Sequence, residues 1–322
     1  MIWKKRGKFF DPTLNMLASH IIEYAQSPQT IVFDDFIRVY FSTRLRDDKG
    51  AYLSNIAYID VDLDFEKIIG FSKKEVIALG ELGTFDEHGI FPISPFMDEG
   101  NLYAFTCGWN RRISVPVETG IGLAKSNDNG VTFQRIGKGP ILSSSPLESI
   151  LVGDGFVQKY DGVYHMWYIF GIKWIPETND EPVARVYKIG HATSTDLLNW
   201  KKDEGRQIIA DTLNDNECQA LPTVIKINDT YHMYFCFREA TDFRKNPERG
   251  YRLGYAHSKD LISWKRNDDK GGLFKSDEKS DWDSEMMCYP HLFKVKDKIF
   301  ILYNGNEFGK YGFGLAELVN RQ

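Results

Sequence analysis

Short runs of alternating apolar and polar residues, separated by polar turns, recur along the whole chain. A period of two marks half-buried strands, and two such runs across a tight turn mark a hairpin. Five hairpins can be read, turning at Asp34-Asp35, Asp98 to Gly100, Asp161-Gly162, Asn228-Asp229 and Lys296-Asp297. The return strand is aromatic each time, as in Tyr164 to Tyr168 and Tyr231 to Phe235. A second motif follows each hairpin. The segment from Tyr187 to Lys202 recurs from Tyr251 to Arg266, sharing Gly190/Gly254, Ala192/Ala256, Ser194/Ser258, Asp196/Asp260 and Trp200/Trp264. Weaker copies surround Ala124, Ala57 and Ala316, so the alanines mark a repeat of 60–68 residues.

Each repeat therefore predicts two hairpin strands, a third strand around the alanine and a fourth after the Trp-containing turn. Four strands repeated five times predict an all-β, five-bladed β-propeller with four-stranded blades, one domain over residues 1–322. The fifth repeat ends at Gln322 with no room for a fourth strand. Trp3-Lys4-Lys5 matches Trp200-Lys201-Lys202 and Trp264-Lys265-Arg266, so the N-terminal strand is expected to complete the last blade and close the ring. Closure would remove a free sheet edge.

Composition narrows the function. Hydrophobic residues make up 42% of the 322 residues and aromatic ones 14%, which excludes a disordered chain. A net charge of −5 gives no reason to expect nucleic-acid binding, and no apolar run reaches a membrane span. Met1 to Phe10 is basic and aromatic and lacks a signal-peptide core, so a cytoplasmic protein is expected. Cys107, Cys218, Cys236 and Cys288 lie far apart with no Cys-x-x-Cys pair, which predicts buried, reduced thiols in strands.

The repeat also places the chemistry. Residues just before the first strand and just after the second of each blade ring one mouth. Before the first strands stand Ser27, Asp86, Glu87, His88, Asp154, Glu217 and Glu285. After the second stand Arg44, Trp109, Arg112, Trp174, Arg238, Arg244 and Glu307. Converging carboxylates suit acid/base work, because crowding raises the pKa of one while another stays ionised. Asp154 and Glu217 precede apolar inner strands, where a charge is costly without a purpose. The alternative for both is a bond to a neighbouring blade or to an arginine. Guanidinium groups bind phosphate and carboxylate bidentately, so Arg111 and Arg112 with Arg238 and Arg244 point to an anionic ligand. Most aromatics are assigned to blade packing, which leaves Trp109 and Trp174 as sugar platforms.

At these residues the chain resembles the five-bladed propeller glycosidases of families 43, 32 and 68. Glu217-Cys218-Gln219-Ala220-Leu221 is similar to the Glu-Cys-Pro-x-Leu motif that carries the general acid in family 32. Val152 to Val157, with Asp154 inside it, looks like the Arg-Asp-Pro motif. The resemblance implies that Glu217 is the general acid and that Asp154 orients it or stabilises the transition state. The chain departs from the pattern in blade one, where Ser27 in Gln26-Ser27-Pro28-Gln29 stands at the position of the family's nucleophile or base. Asp86 or Glu87 is the expected replacement as activator of water, with His88 a further base. No cofactor is expected, although the resemblance raises a calcium ion beside His291. The function expected is cleavage of a glycosidic bond in an anionic or activated sugar. The alternatives are a glycosyltransferase or phosphorylase of polysaccharide metabolism, and a non-catalytic sugar-binding propeller.

Overall fold

A computed structural model describes residues 1–15, 17–179 and 181–320. Gln322, at the end of the fifth repeat, lies outside the described residues. The chain begins with β1 (Ile2–Phe10), followed by β2 (Gln26–Val32), β3 (Ile37–Arg46), β4 (Tyr52–Val61) and β5 (Ile68–Phe71). The next group is β6 (Gly89–Asp98), β7 (Asn101–Arg111), β8 (Val117–Ser126) and β9 (Gln134–Arg135). Then come β10 (Val152–Tyr160), β11 (Val163–Ile175), β12 (Ala184–Ser194) and β13 (Lys201–Lys202). They are followed by β14 (Glu217–Ile227), β15 (Thr230–Glu239), β16 (Arg252–Ser258) and β17 (Lys265–Arg266). The last group is β18 (Cys288–Val295), β19 (Lys298–Asn304) and β20 (Phe313–Asn320).

Within each group the strands pair antiparallel in chain order. A parallel pair, Ser54 opposite Gly89, joins the first two groups into one larger sheet, and among the described residues no sheet closes on itself. All five hairpins turn where the alternation places them, and each repeat alanine lies in a third strand. β1 runs antiparallel to β20 at the outside of the last sheet. Lys5 stands opposite Ala316, as Arg135 does opposite Ala124, Lys202 opposite Ala192 and Arg266 opposite Ala256. The Trp-Lys-Lys match thus reports a shared register.

The repeated Ser-x-Asp turn is structural. Asp196 Oδ1 accepts the N–H groups of Leu198 and Asn199, and Asp260 Oδ1 accepts those of Ile262 and Ser263. Hydrogen bonding holds both carboxyls down near pKa 2. Trp200 and Trp264 donate their indole N–H to Leu197 and Leu261 O. The four cysteines are buried free thiols, as expected.

The apolar core lies between neighbouring sheets rather than in one central mass. First strands are neighbours around the molecule: β2 packs on β6, β6 on β10, β10 on β14, β14 on β18 and β18 on β2. Phe10, at the end of β1, is fully buried against Phe41 and Phe313, with ring centroids 5.4 and 5.5 Å away. Its truncation leaves a cavity between the first and last groups. Phe10→Ala is expected to cost about 3–5 kcal/mol, read as a lowered urea midpoint. An unchanged midpoint would mean that β1 is not docked in solution. Among the described residues, no helix is long and apolar enough to cross a membrane.

Candidate functional site

Every first strand bulges at the same place. The register slips between Gln26 and Gln29, Ile90 and Ile93, Gly153 and Phe156, Ala220 and Thr223, and Cys288 and His291. Four of the bulged residues, Ser27, Asp154, Leu221 and Tyr289, adopt left-handed backbone, with φ of 50–56°. Such conformations cost about 1–3 kcal/mol in a non-glycine residue and re-aim its side chain. At Gly153, an added Cβ would stand 2.7 Å from Cys107 Sγ, so the close approach of β10 to β7 requires glycine here.

The bulges surround a cavity of about 470 Å³. Phe91, Asp154, Ala220 and Tyr289 line it from the first strands, and Trp109 and Arg238 from the second. Arg185, Tyr187 and Tyr251 enter at the starts of third strands, and Arg44, Arg244 and Phe308 complete the wall. Among the described residues lining this cavity, Asp154 is the sole carboxylate. Burial pushes its pKa up to about 7, although Arg185 and hydrogen bonds from the Leu221 N–H and the Cys107 thiol pull the other way. A carboxyl poised near neutrality can donate a proton and take it back.

Arg238 is buried, with Nη1 donating to Glu239 O at 2.6 Å and Nη2 to Tyr187 Oη at 3.0 Å. Its Nε is buried with no partner among the described residues. Arg44 Nε donates to Gln26 Oε1 at 2.9 Å. Arg244 lies over the Phe243 and Phe308 rings, 5.0 and 4.7 Å from their centroids. Trp109 lines the cavity and donates its indole N–H to Ser54 Oγ at 3.1 Å.

The expected mouth thus divides. Asp154, Arg44, Trp109, Arg238 and Arg244 meet in the cavity. Glu217 does not. Its buried carboxylate is ion-paired to Arg266 Nη1 at 2.6 Å and accepts the N–H groups of Thr212 and Leu213. Burial alone would raise its pKa, but the Arg266 charge and these bonds outweigh burial and hold it below the usual range. A general acid needs the opposite shift. Of the Glu-Cys-Pro-x-Leu pattern the chain keeps Glu217, Cys218 and Leu221 in register and has Gln219 in place of the proline.

Asp86 is buried in an ion pair with Arg135, 2.6 Å away, beside a separate surface groove. Glu87 accepts the Gly83 N–H and His88 stacks on Trp109, and neither lines the cavity. Ser27 is buried, its N–H donating to Asn304 Oδ1 and its hydroxyl without a partner among the described residues. Arg112 pairs in solvent with Glu118 at 3.1 Å. Trp174 packs against the core beyond the rim, and Glu285 and Glu307 are exposed outside the lining. His291 Nε2 accepts from the Thr30 N–H at 3.0 Å, and burial pushes its pKa down to about 3. Among the described residues, no three His, Cys, Asp or Glu side chains are grouped to hold a metal ion.

Arg185, Tyr187, Tyr251 and Cys107 were not expected at the site. The first three stand at the starts of third strands, next to the conspicuous alanine repeat, and that position was their only signal. Cys107 carries none, since its role depends on a bulge in another strand.

No protein-family model matches the chain. Two Mycobacterium tuberculosis proteins are 30% identical over 321 residues, covering 99% of this chain and all of theirs: "Uncharacterized protein Rv1502" (strain H37Rv) and "Uncharacterized protein MT1551" (strain CDC 1551). Among solved structures, a glycoside hydrolase superposes with a TM-score of 0.72 at 16% identity, covering 99% of this chain and 94% of that one. A thermostable family-43 glycoside hydrolase gives 0.64 at 15% identity, covering 92% and 89%. A structure from the GH130 family of mannoside phosphorylases gives 0.65 at 16%, covering 98% and 90%. The chain belongs to the family of the two mycobacterial proteins and has the fold of the β-propeller glycosidases.

Proposed function

We propose that this protein is a carbohydrate-active enzyme that cleaves a glycosidic bond in an anionic or activated sugar, with Asp154 as the general acid. We also read the five strand groups as the blades of a single-domain propeller whose ring β1 completes; the cyclic neighbouring of the first strands supports this. The observation that carries the functional reading is the cavity itself. It sets one carboxyl poised near neutrality among four arginines, with a tryptophan and five tyrosines for the face of a sugar.

The protonated Asp154 carboxyl donates to the glycosidic oxygen as the bond to the anomeric carbon breaks. Arg185 stabilises the carboxylate that is left. A retaining route through a glycosyl ester needs a second carboxylate about 5–5.5 Å away. Among the described residues lining the cavity there is none. Displacement by an incoming oxygen is therefore favoured. Water as nucleophile must also lose a proton, whereas a phosphate oxygen is already anionic. The arginines thus favour phosphorolysis or transfer as the second reading: the phosphate oxygen bonds to the anomeric carbon, the glycosidic C–O bond breaks, and the Asp154 proton leaves with the alcohol.

The test is turnover of neutral, acidic and phosphorylated glycosides, each with and without inorganic phosphate. Product from charged glycosides, or product that requires phosphate, is expected. Preference for neutral glycosides in the absence of phosphate would sink the anionic reading. Sugar binding without product from any donor would mean a binding module instead.

A further inference from the structure

Arg44 and Arg244 both line the cavity as like charges, close enough for Arg244 to disfavour the charge on Arg44. Burial pushes the Arg44 pKa down; Tyr289 and Tyr24 offset this in part, and Arg244 adds to the push. Among the described residues neither guanidinium has a carboxylate partner. Among the described residues Arg44 spends only its Nε, on Gln26, and Arg244 is held by aromatic faces alone, so there both terminal forks are without a hydrogen-bond partner. Arg44 is half-buried and Arg244 exposed; Arg238 adds a third cation that is buried, its Nε without a partner among the described residues. Arg185 is the one cavity arginine with a carboxylate near it, Asp154. Three positive charges therefore remain without a carboxylate counter-charge among the described residues, and the lack is costliest at the buried Arg238.

We propose that Arg44 and Arg244 together hold a phosphoryl group, either borne by the sugar substrate or supplied as free phosphate. A carboxylate has two oxygens and one charge, enough for a single guanidinium fork. A phosphoryl group offers three oxygens and up to two charges, enough for two forks at an angle. Arg238 balances what charge remains. The inference rests on reading this cavity as the substrate site, but the group would bind whether or not Asp154 turns it over.

Calorimetric titration of the full-length protein with inorganic phosphate, glucose 1-phosphate, glucuronate and glucose tests it. Both phosphoryl probes are expected to bind at least tenfold more tightly than glucuronate, with affinity falling steeply as salt rises. Tighter binding of glucose 1-phosphate identifies a sugar-borne group; binding of phosphate at least as tight identifies the free ion. R44Q and R244Q are each expected to weaken binding roughly tenfold or more. R244K, which keeps the charge and loses the fork, should be intermediate. Circular dichroism controls for folding. Failure of both phosphoryl probes to bind the wild type, glucuronate binding as tightly, or folded R44Q and R244Q variants that bind normally would overturn the proposal. D154N separates the two readings. It should still bind phosphate while losing turnover. Turnover of neutral glycosides with no phosphate binding would sink this proposal and leave Asp154 as the acid.

Discussion

Replacing Asp154 by asparagine is expected to lower kcat by roughly two to four orders of magnitude, the usual contribution of a positioned general acid. The amide keeps the shape and can still meet the Leu221 N–H, but it has no proton of suitable acidity to give. In the wild type, activity should fall about tenfold per pH unit above pH 7, because the acid is competent only when protonated and burial sets its pKa at about 7. D154N should lose that limb. Stability carries the matching sign. The folded-state pKa lies above the unfolded value of about 3.9, so the contribution of Asp154 is fully present below about pH 4 and is lost as pH rises through 7. D154N removes that loss and should be the more stable protein at pH 8, by at most about 4 kcal/mol. Thermal melts from pH 4 to pH 9, run beside pH–rate profiles, check both. A D154N variant with wild-type kcat at pH 6 would remove Asp154 from the chemistry.

Arg266→Ala is expected to have the largest effect on stability, a loss of about 3–5 kcal/mol, because it strands a buried carboxylate. Glu217 is fully buried and Arg266 nearly so, with 2.6 Å between them. Arg266 also holds Asp268 at 3.0 Å and lies over Phe237, tying β17 to the turn beyond it. Glu217→Gln removes the charge and keeps most of the shape, so it should cost less. Its kcat, normalised to folded protein, should match the wild type, because the carboxylate does not line the cavity. Denaturant midpoints and kcat at low temperature separate the two effects. A stable E217Q protein without activity would restore Glu217 as the acid.

The strands were legible because alternation and turn chemistry are local. Apolar residues at every second position must face one side of a sheet, so the five hairpins and the repeat alanines fall where the chain places them. The pairing of β1 with β20 was legible too, through the register shared by Trp3-Lys4-Lys5 and the fourth strands. Asp154 itself was legible as a charge at the head of an apolar strand.

The division of the mouth was not legible. Asp86, Glu87, Asp154 and Glu217 have similar sequence settings, yet one enters the cavity. Asp154 enters because the bulge in β10 turns its backbone left-handed and aims the side chain inward. Asp86 and Glu217 are claimed by Arg135 and Arg266, which lie 49 residues further along in each case. Arg44 and Arg244 become neighbours only because the first and fourth strand groups face one another across the cavity. The sequence by itself determined which residues form strands, since that depends on neighbours two positions away. Which charges are paired and which are left for a ligand was decided by tertiary structure alone, because Coulomb energy and desolvation depend on distances between residues that the chain keeps far apart.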